Sequence, residues 1–326
     1  MSPLVRTLLL CILLLAPPFG FAELPGCPLS ADALAGAPEI GGGGLSQDFR
    51  TWLTDKGYGA YHFARDDLEG GSFGGRLSAG QVLHHQPVVF VHGNSDRAEG
   101  EGSEGPLGWT AVIRQFLAGG YTAAELYATT WGPADPDKAG DQVHSADYVQ
   151  RIRALMEAVL AYTGAERLDV IAHSMGVTLA RRAILGGELD GHVLGPPLTG
   201  RVDTFVGIAG ANRGLTGCFF SPQLPTCSVH DGFFPGYASF WGVSGLSDFL
   251  SELNAASGFE GSHVYSIWSL ADPVIGYGGL VYGTYTSRIP EQDGEKVYAS
   301  YPYGHFCVRD LSARVQLEMV RDHRVP

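Results

Sequence analysis

The stretch from Arg167 to Leu185, RLDVIAHSMGVTLARRAIL, constrains this chain more than any other. An apolar run ends at His173 and helix-spaced residues begin at Met175, so a single residue, Ser174, stands between strand and helix. A turn that sharp strains the backbone, and only small neighbours tolerate it; Ala172 and Gly176 lie two positions away on either side. The turn pushes the hydroxyl out of the sheet and sets it at a helix N-terminus, where unpaired N–H groups and the dipole favour negative charge. Ser174 is thereby displayed for nucleophilic attack. A helix-capping serine would show the same local pattern, and the rest of the chain has to decide between the two.

The flanking sequence predicts the frame. QPVVFVHGN, AAELYATTW, RLDVIAHS, VDTFVGIAG, HVYSIWSLAD and EKVYAS read as strands. LSQDFRTWLTDKGY, TAVIRQFLAGG, DYVQRIRALMEAVLAYTG, MGVTLARRAIL and DLSARVQLEMVRDH read as helices, with Gly164 stopping the long one. Strands alternating with helices predict an α/β fold, a mostly parallel sheet with helices on both faces. Functional groups of such a sheet collect beyond the carboxyl ends of its strands. Three strand ends supply polar residues there, His92-Gly93-Asn94, Ser174 and Asp272, and His305 follows the last strand.

A serine hydroxyl is a poor nucleophile at its own pKa; it needs a histidine to take its proton and a carboxylate to hold that histidine. SIWSLADPVIG supplies Asp272 at the end of a strand, and YPYGHFCVRD supplies His305 on a loop after the next one. Other histidines fit less well. His173 is committed to the turn, His92 precedes a glycine turn, and His144, His192 and His230 fall in loops or helix starts where solvent exposure is expected. Of the alternative carboxylates, Asp203 starts rather than ends its strand, and Asp310 is placed to cap the last helix. In VVFVHGN, Gly93 lets backbone approach a substrate, and the N–H groups of Asn94 and Met175 would form a donor pair for a tetrahedral oxyanion.

Composition narrows the setting. A chain of 326 residues that is 45% hydrophobic can bury a sizeable core. Its formal charge of −13 argues against nucleic acid and against electrostatic docking on an anionic membrane, both of which need Lys and Arg patches. The opening MSPLVRTLLLCILLLAPPFGFA has Arg6, an apolar run from Leu8 to Ala16, a Pro-Pro break and small Gly20 and Ala22, which predicts a secretory signal peptide over residues 1–22. That run is shorter than the ~20 apolar residues a membrane-spanning helix needs, and no later segment is long and apolar enough to span. Its removal leaves Cys27, Cys218, Cys227 and Cys307 in an oxidising compartment, so two disulfides are expected. Of the three pairings, nearness in sequence favours Cys218 with Cys227, leaving Cys27 to tie the N-terminal arm to Cys307. A zinc site is disfavoured because no Cys-x-x-Cys or closely spaced histidine pair accompanies them. Gly41 to Gly44 reads as a flexible joint within an arm and domain start over residues 23–85, ahead of a catalytic body over 86–326.

In FVHGNSD, GYTAAELYATTWG, YTGAERLDVIAHSMGVTLARRAI, GIAGANRG and IWSLADPVIG the chain resembles, from about Gln86 to Val320, the secreted α/β-hydrolases of the class 2 lipase type. That group includes small bacterial lipases with AHSMG turns and secreted animal lipases. The resemblance implies an α/β-hydrolase fold with Ser174 as nucleophile, Asp272 as orienting acid, His305 as base, and Asn94 and Met175 as oxyanion donors. It implies a lipid or ester substrate cleaved through an acyl-enzyme, transient contact with lipid surfaces, and no metal or organic cofactor. Ala172 departs from the glycine usual in hydrolases, a change this family tolerates. Two rivals remain: an acyltransferase, in which water is kept from the same acyl-enzyme, and a lipid-binding module without catalysis.

One region is out of proportion. Residues 212–262 lie between two sheet strands, where connections of roughly 2 to 6 residues are usual. They carry Phe219, Phe220, Phe233, Phe234, Tyr237, Phe240, Trp241 and Phe249. One expectation is a satellite core under a long loop. The other is a lid or acyl-binding groove over Ser174, with Phe233 and Trp241 as substrate-binding candidates.

Overall fold

A computed structural model describes Cys27 and residues 43–100, 108–276 and 278–326. The expected signal peptide lies outside the described residues. Eight strands form one sheet: β1 (Gly44–Leu45), β2 (Ser72–Gly74), β3 (Val88–Val91), β4 (Leu126–Thr129), β5 (Leu168–His173), β6 (Val202–Ile208), β7 (His263–Ser269) and β8 (Gly294–Tyr298). Their spatial order is β1-β2-β4-β3-β5-β6-β7-β8. β2 pairs antiparallel with β4, and every other neighbouring pair is parallel.

The sequence of the central strands explains their place. Every residue of β3 and β5 is buried, because helices cover both sides of the sheet, and strands in that position read as near-continuous apolar runs. Of the two polar residues in β5, His173 belongs to the turn at Ser174 and Asp169 lies near the start of the strand. Its carboxylate accepts from Gln86 Nε2 and the Thr204 amide, both at 3.0 Å, while burial pushes its pKa up to about 7.

The helices are α1 (Gln47–Asp55), α2 (Thr110–Ala118), α3 (Ala146–Thr163), α4 (Met175–Leu185), α5 (Thr216–Phe220), α6 (Asp248–Ala255), α7 (His305–Leu311) and α8 (Ala313–Asp322). Seven of them sort into two packed groups, α1, α3, α4 and α6 in one, α2, α7 and α8 in the other. Local chemistry sets several ends. The Ser46 hydroxyl accepts from the Phe49 amide at the start of α1, and Gly164, with φ of 74°, ends α3.

Two expectations about elements change. Gly44, read as part of a flexible joint, pairs with Phe73 in the edge strand, so residues 44–74 complete the sheet. The single closing helix is two, α7 and α8, meeting at Ser312. They diverge because α7 lies against β7 while α8 lies against β6 and α2. The connection over 212–262 folds into α5, a hairpin of Tyr237–Ser239 with Gly242–Ser244, and α6. Disulfides join Cys27 to Cys307 in α7 and Cys218 to Cys227 in this connection. Among the described residues no helix is long and apolar enough to cross a membrane.

Candidate active site

The turn at Ser174 has the strained backbone its sequence calls for. Its φ of 53° and ψ of −126° lie in a region L-residues rarely occupy, at a cost of about 1–3 kcal/mol. Bonds on both sides hold it there: the Ser174 amide donates to Ile208 O at 2.8 Å, and the Val177 amide donates to Ser174 O at 3.0 Å. Close approach explains the glycines. A Cβ on Gly176 would sit 2.3 Å from His92 O, and one on Gly93 would sit 2.9 Å from Ser174 Cβ. The turn faces the end of β3, where Asn94 and Met175 present amide N–H groups that donate to no other protein atom among the described residues.

A hydrogen-bonded chain runs away from the serine. Ser174 Oγ is 2.9 Å from His305 Nε2, and His305 Nδ1 is 2.7 Å from Asp272 Oδ2. The carboxylate can only accept, so Nδ1 carries the proton and Nε2 is left to accept from the serine hydroxyl. Asp272 is itself fixed: its Oδ1 accepts from the amides of Val274 and Ile275 at 2.8 and 2.9 Å. His305 and Asp272 are both buried. His305 is the first residue of α7 rather than a loop residue, so its orientation follows that helix.

Three further groups brace this arrangement, and the sequence offered little signal for them. His173 donates from Nε2 to His305 O at 3.0 Å across 132 positions; burial holds its imidazole neutral, its pKa well below the ordinary value. His92 stacks on Trp131 at 4.9 Å, donates from Nδ1 to Gly93 O at 2.7 Å and accepts the Trp131 amide at 3.0 Å. Burial lowers its pKa to about 4, so it too is neutral. Arg309, one helical turn after His305, reaches Asp96, whose Oδ1 accepts from the amides of Arg97 and Gly108 at 2.8 Å. Asp310, expected as a helix cap, is instead buried against the same guanidinium, because the apolar surroundings leave that charge no water to face.

The remaining carboxylate and histidine candidates lie elsewhere. Asp203 sits at the opposite end of β6, paired with Arg167 at 3.0 Å and His323 at 3.1 Å. His144, expected in solvent, is fully buried. Its Nδ1 donates to Asp231 O and its Nε2 accepts from the Thr178 hydroxyl, both at 2.7 Å. It packs flat on Phe249 at 4.1 Å and edge-on to Phe233 at 4.6 Å, joining the 212–262 connection to α4.

Ser174 opens into a narrow cleft with a free volume of about 50 Å³. Asn94, Met175 and His305 line its floor, and Leu215, Cys218, Leu224, Phe233 and Val274 give it apolar walls. Phe233 is therefore beside the serine. Trp241 is not among the lining residues: it lies in the turn of the hairpin and is 92% exposed. The aromatics of the connection thus divide, with Phe233, Phe234 and Phe249 buried and Phe240 and Trp241 in solvent.

Comparisons with known proteins bear on the fold and the family. The fold resembles that of Aspergillus fumigatus lipase B, at a TM-score of 0.51 and 14% identity, over 82% of this chain and 59% of that one. The chain therefore spans about three fifths of that protein's length. Bacillus licheniformis lipase BlEst2 in mature form matches at 0.47 and 12% identity, over 74% of this chain and 96% of that one. Paleococcus ferrophilus monoacylglycerol lipase matches at 0.43 and 14% identity, over 78% and 98%. The fold is that of the α/β-hydrolases. A family model described as lipase (class 2) matches residues 85–317, and with most of the chain covered this protein belongs to the class 2 lipase family.

Proposed function

We propose that this protein is a secreted serine hydrolase that cleaves carboxylic ester bonds of lipids through an acyl-enzyme. The observation that carries the reading is the chain Ser174–His305–Asp272, at 2.9 and 2.7 Å, facing the amides of Asn94 and Met175. Ser174 Oγ attacks the ester carbonyl carbon as its proton passes to His305 Nε2. The carbonyl oxygen becomes an oxyanion held by the two N–H groups, which have no other protein acceptor to give up among the described residues. The ester C–O bond then breaks, and the alcohol leaves with the proton from Nε2. Water repeats the sequence: Nε2 takes one of its protons, its oxygen adds to the acyl carbon, and Ser174 Oγ departs with the proton while the acid is released.

Asp272 stabilises the imidazolium and keeps His305 in the required tautomer. Leu215, Leu224 and Phe233 give the acyl chain an apolar wall. Both disulfides and the apolar opening segment support an extracellular setting. Fluorophosphonate labelling tests the reading: one adduct per chain is expected, at Ser174, and absence of labelling in folded protein overturns it. Esters of increasing acyl length then set the substrate range, and turnover to a new ester in the presence of an alcohol would assign acyl transfer instead.

A further inference from the structure

The hairpin Tyr237–Ser239 with Gly242–Ser244 is built to hold two large aromatics in water. Phe240 is 93% and Trp241 92% exposed, and the rings meet edge-on at 5.2 Å. The turn that presents them is ordered by its own bonds: Ser239 Oγ accepts from the Trp241 amide at 3.2 Å and donates to Gly242 O at 2.9 Å. Its base is braced by Tyr282, whose hydroxyl donates to Gly236 O at 2.7 Å. Displaying such a pair costs hydrophobic free energy that packing would recover, so the exposure calls for a partner.

Charge and position select that partner. From Gly232 to Ser247 the chain carries no Asp, Glu, Lys, Arg or His, within a protein of net charge −13. A tip without cations inside an acidic molecule gains nothing from an anionic surface, whereas aromatic rings suit the boundary between water and uncharged lipid. The base of the hairpin adjoins the cleft wall: Tyr237 meets Phe234 at 5.3 Å and Phe219 at 5.9 Å, and Phe219 follows Cys218, which lines the cleft. We propose that this hairpin is a fixed anchor that inserts Phe240 and Trp241 into a neutral or zwitterionic lipid surface, presenting the cleft of Ser174 to that surface. The proposal rests on the reading of the protein as a lipid ester hydrolase, and names the physical form in which it meets its substrate.

Of the five tryptophans, Trp241 alone is fully exposed; Trp109, Trp131 and Trp268 are buried and Trp52 partly so. Acrylamide quenching of Trp241 therefore reports on the tip, and co-sedimentation with phosphatidylcholine vesicles reports on the whole chain. The anchor predicts that vesicles shield Trp241 and that partition is unchanged between low and high salt. The double variant Phe240→Ser, Trp241→Ser should lower partition about tenfold or more while keeping its melting temperature and its turnover of a dissolved four-carbon ester. Trp241→Phe should retain partition within about twofold. Measuring partition with Ser174→Ala protein separates anchoring from ester cleavage, so failure of either reading is seen on its own. No partition, partition confined to phosphatidylglycerol vesicles at low salt, or a Trp241 shielded before lipid is added and freed on dilution would each overturn the anchor; the last would make the patch a self-association surface.

Discussion

The turn at Ser174 and the connection over 212–262 meet in one cleft but are held by different physics. The turn is over-determined. Strand, serine and helix are consecutive, Gly176 leaves no room against β3, and backbone bonds on both sides fix a costly φ. The connection has little regular structure and is tied by scattered fastenings: the Cys218–Cys227 bridge, Ser247 Oγ donating to Gly232 O at 2.8 Å, and His144 bonding both Asp231 and Thr178. The difference teaches where precision is needed. In the proposed mechanism the nucleophile sits on the over-determined turn, and part of the apolar wall sits on the element that can vary without moving it.

If that division is right, changes at the turn should cost activity without stability, and changes in the connection should do the reverse. Ser174→Ala should give the largest effect, a loss of ester hydrolysis of about 10⁴-fold or more with melting temperature unchanged. A variant retaining a tenth of the rate would move the nucleophile elsewhere. Asp272→Asn should follow, at about 10³-fold in kcat, because the imidazole loses the group that sets its tautomer. Asp203→Asn, at the far end of β6, should leave kcat unchanged, and the opposite pattern would reverse the carboxylate assignment.

Breaking the Cys218–Cys227 bridge by a double serine replacement should lower stability by about 2–3 kcal/mol from loop entropy, measured by denaturant unfolding. The catalytic rate on a short ester should change far less, and a parallel collapse of both would erase the distinction between the two regions. The smallest effect is a slope. His144 is kept neutral by burial, its pKa down to about 4, while an unfolded histidine protonates near ~6.5. Between those values the unfolded chain binds the extra proton, so the contribution of His144 to stability is full above pH ~6.5 and is lost as pH falls toward about 4. His144→Gln should flatten the stability profile there by about 1.4 kcal/mol per pH unit, whatever its effect at neutral pH. An unchanged slope would mean that the latch between the connection and α4 does not titrate.

What was legible in the sequence follows contact distance. The strand–serine–helix turn, the alternation that makes the sheet, and the chain order of Ser174, Asp272 and His305 are patterns of near neighbours or of strand ends, and each leaves a mark in composition. The braces do not. His173 with His305, Arg309 with Asp96 and His144 with Asp231 join residues 132, 213 and 87 positions apart. None has a local signature, because the partner that buries or neutralises each group comes from a distant segment and leaves no mark in its neighbourhood; His144 accordingly reads as exposed. Trp241 is the converse case. Its aromatic neighbours read as part of a cleft wall, whereas in the fold it lies in a hairpin turn, 92% exposed and outside the residues that line the cleft with Phe233.

By itself the sequence determined the main backbone events: the central strands and the helices between them, that Ser174 must sit in a strained turn, and that mostly parallel strands put their functional ends on one edge. Those depend on steric and hydrophobic periods that act over a few residues. Only the tertiary structure decided which side chains complete the site, that α7 rather than a loop carries His305, and that the aromatic connection splits into a buried half beside Ser174 and an exposed half on a hairpin. Those outcomes are set by burial and charge compensation between distant segments, and such terms exist only once the segments are in contact.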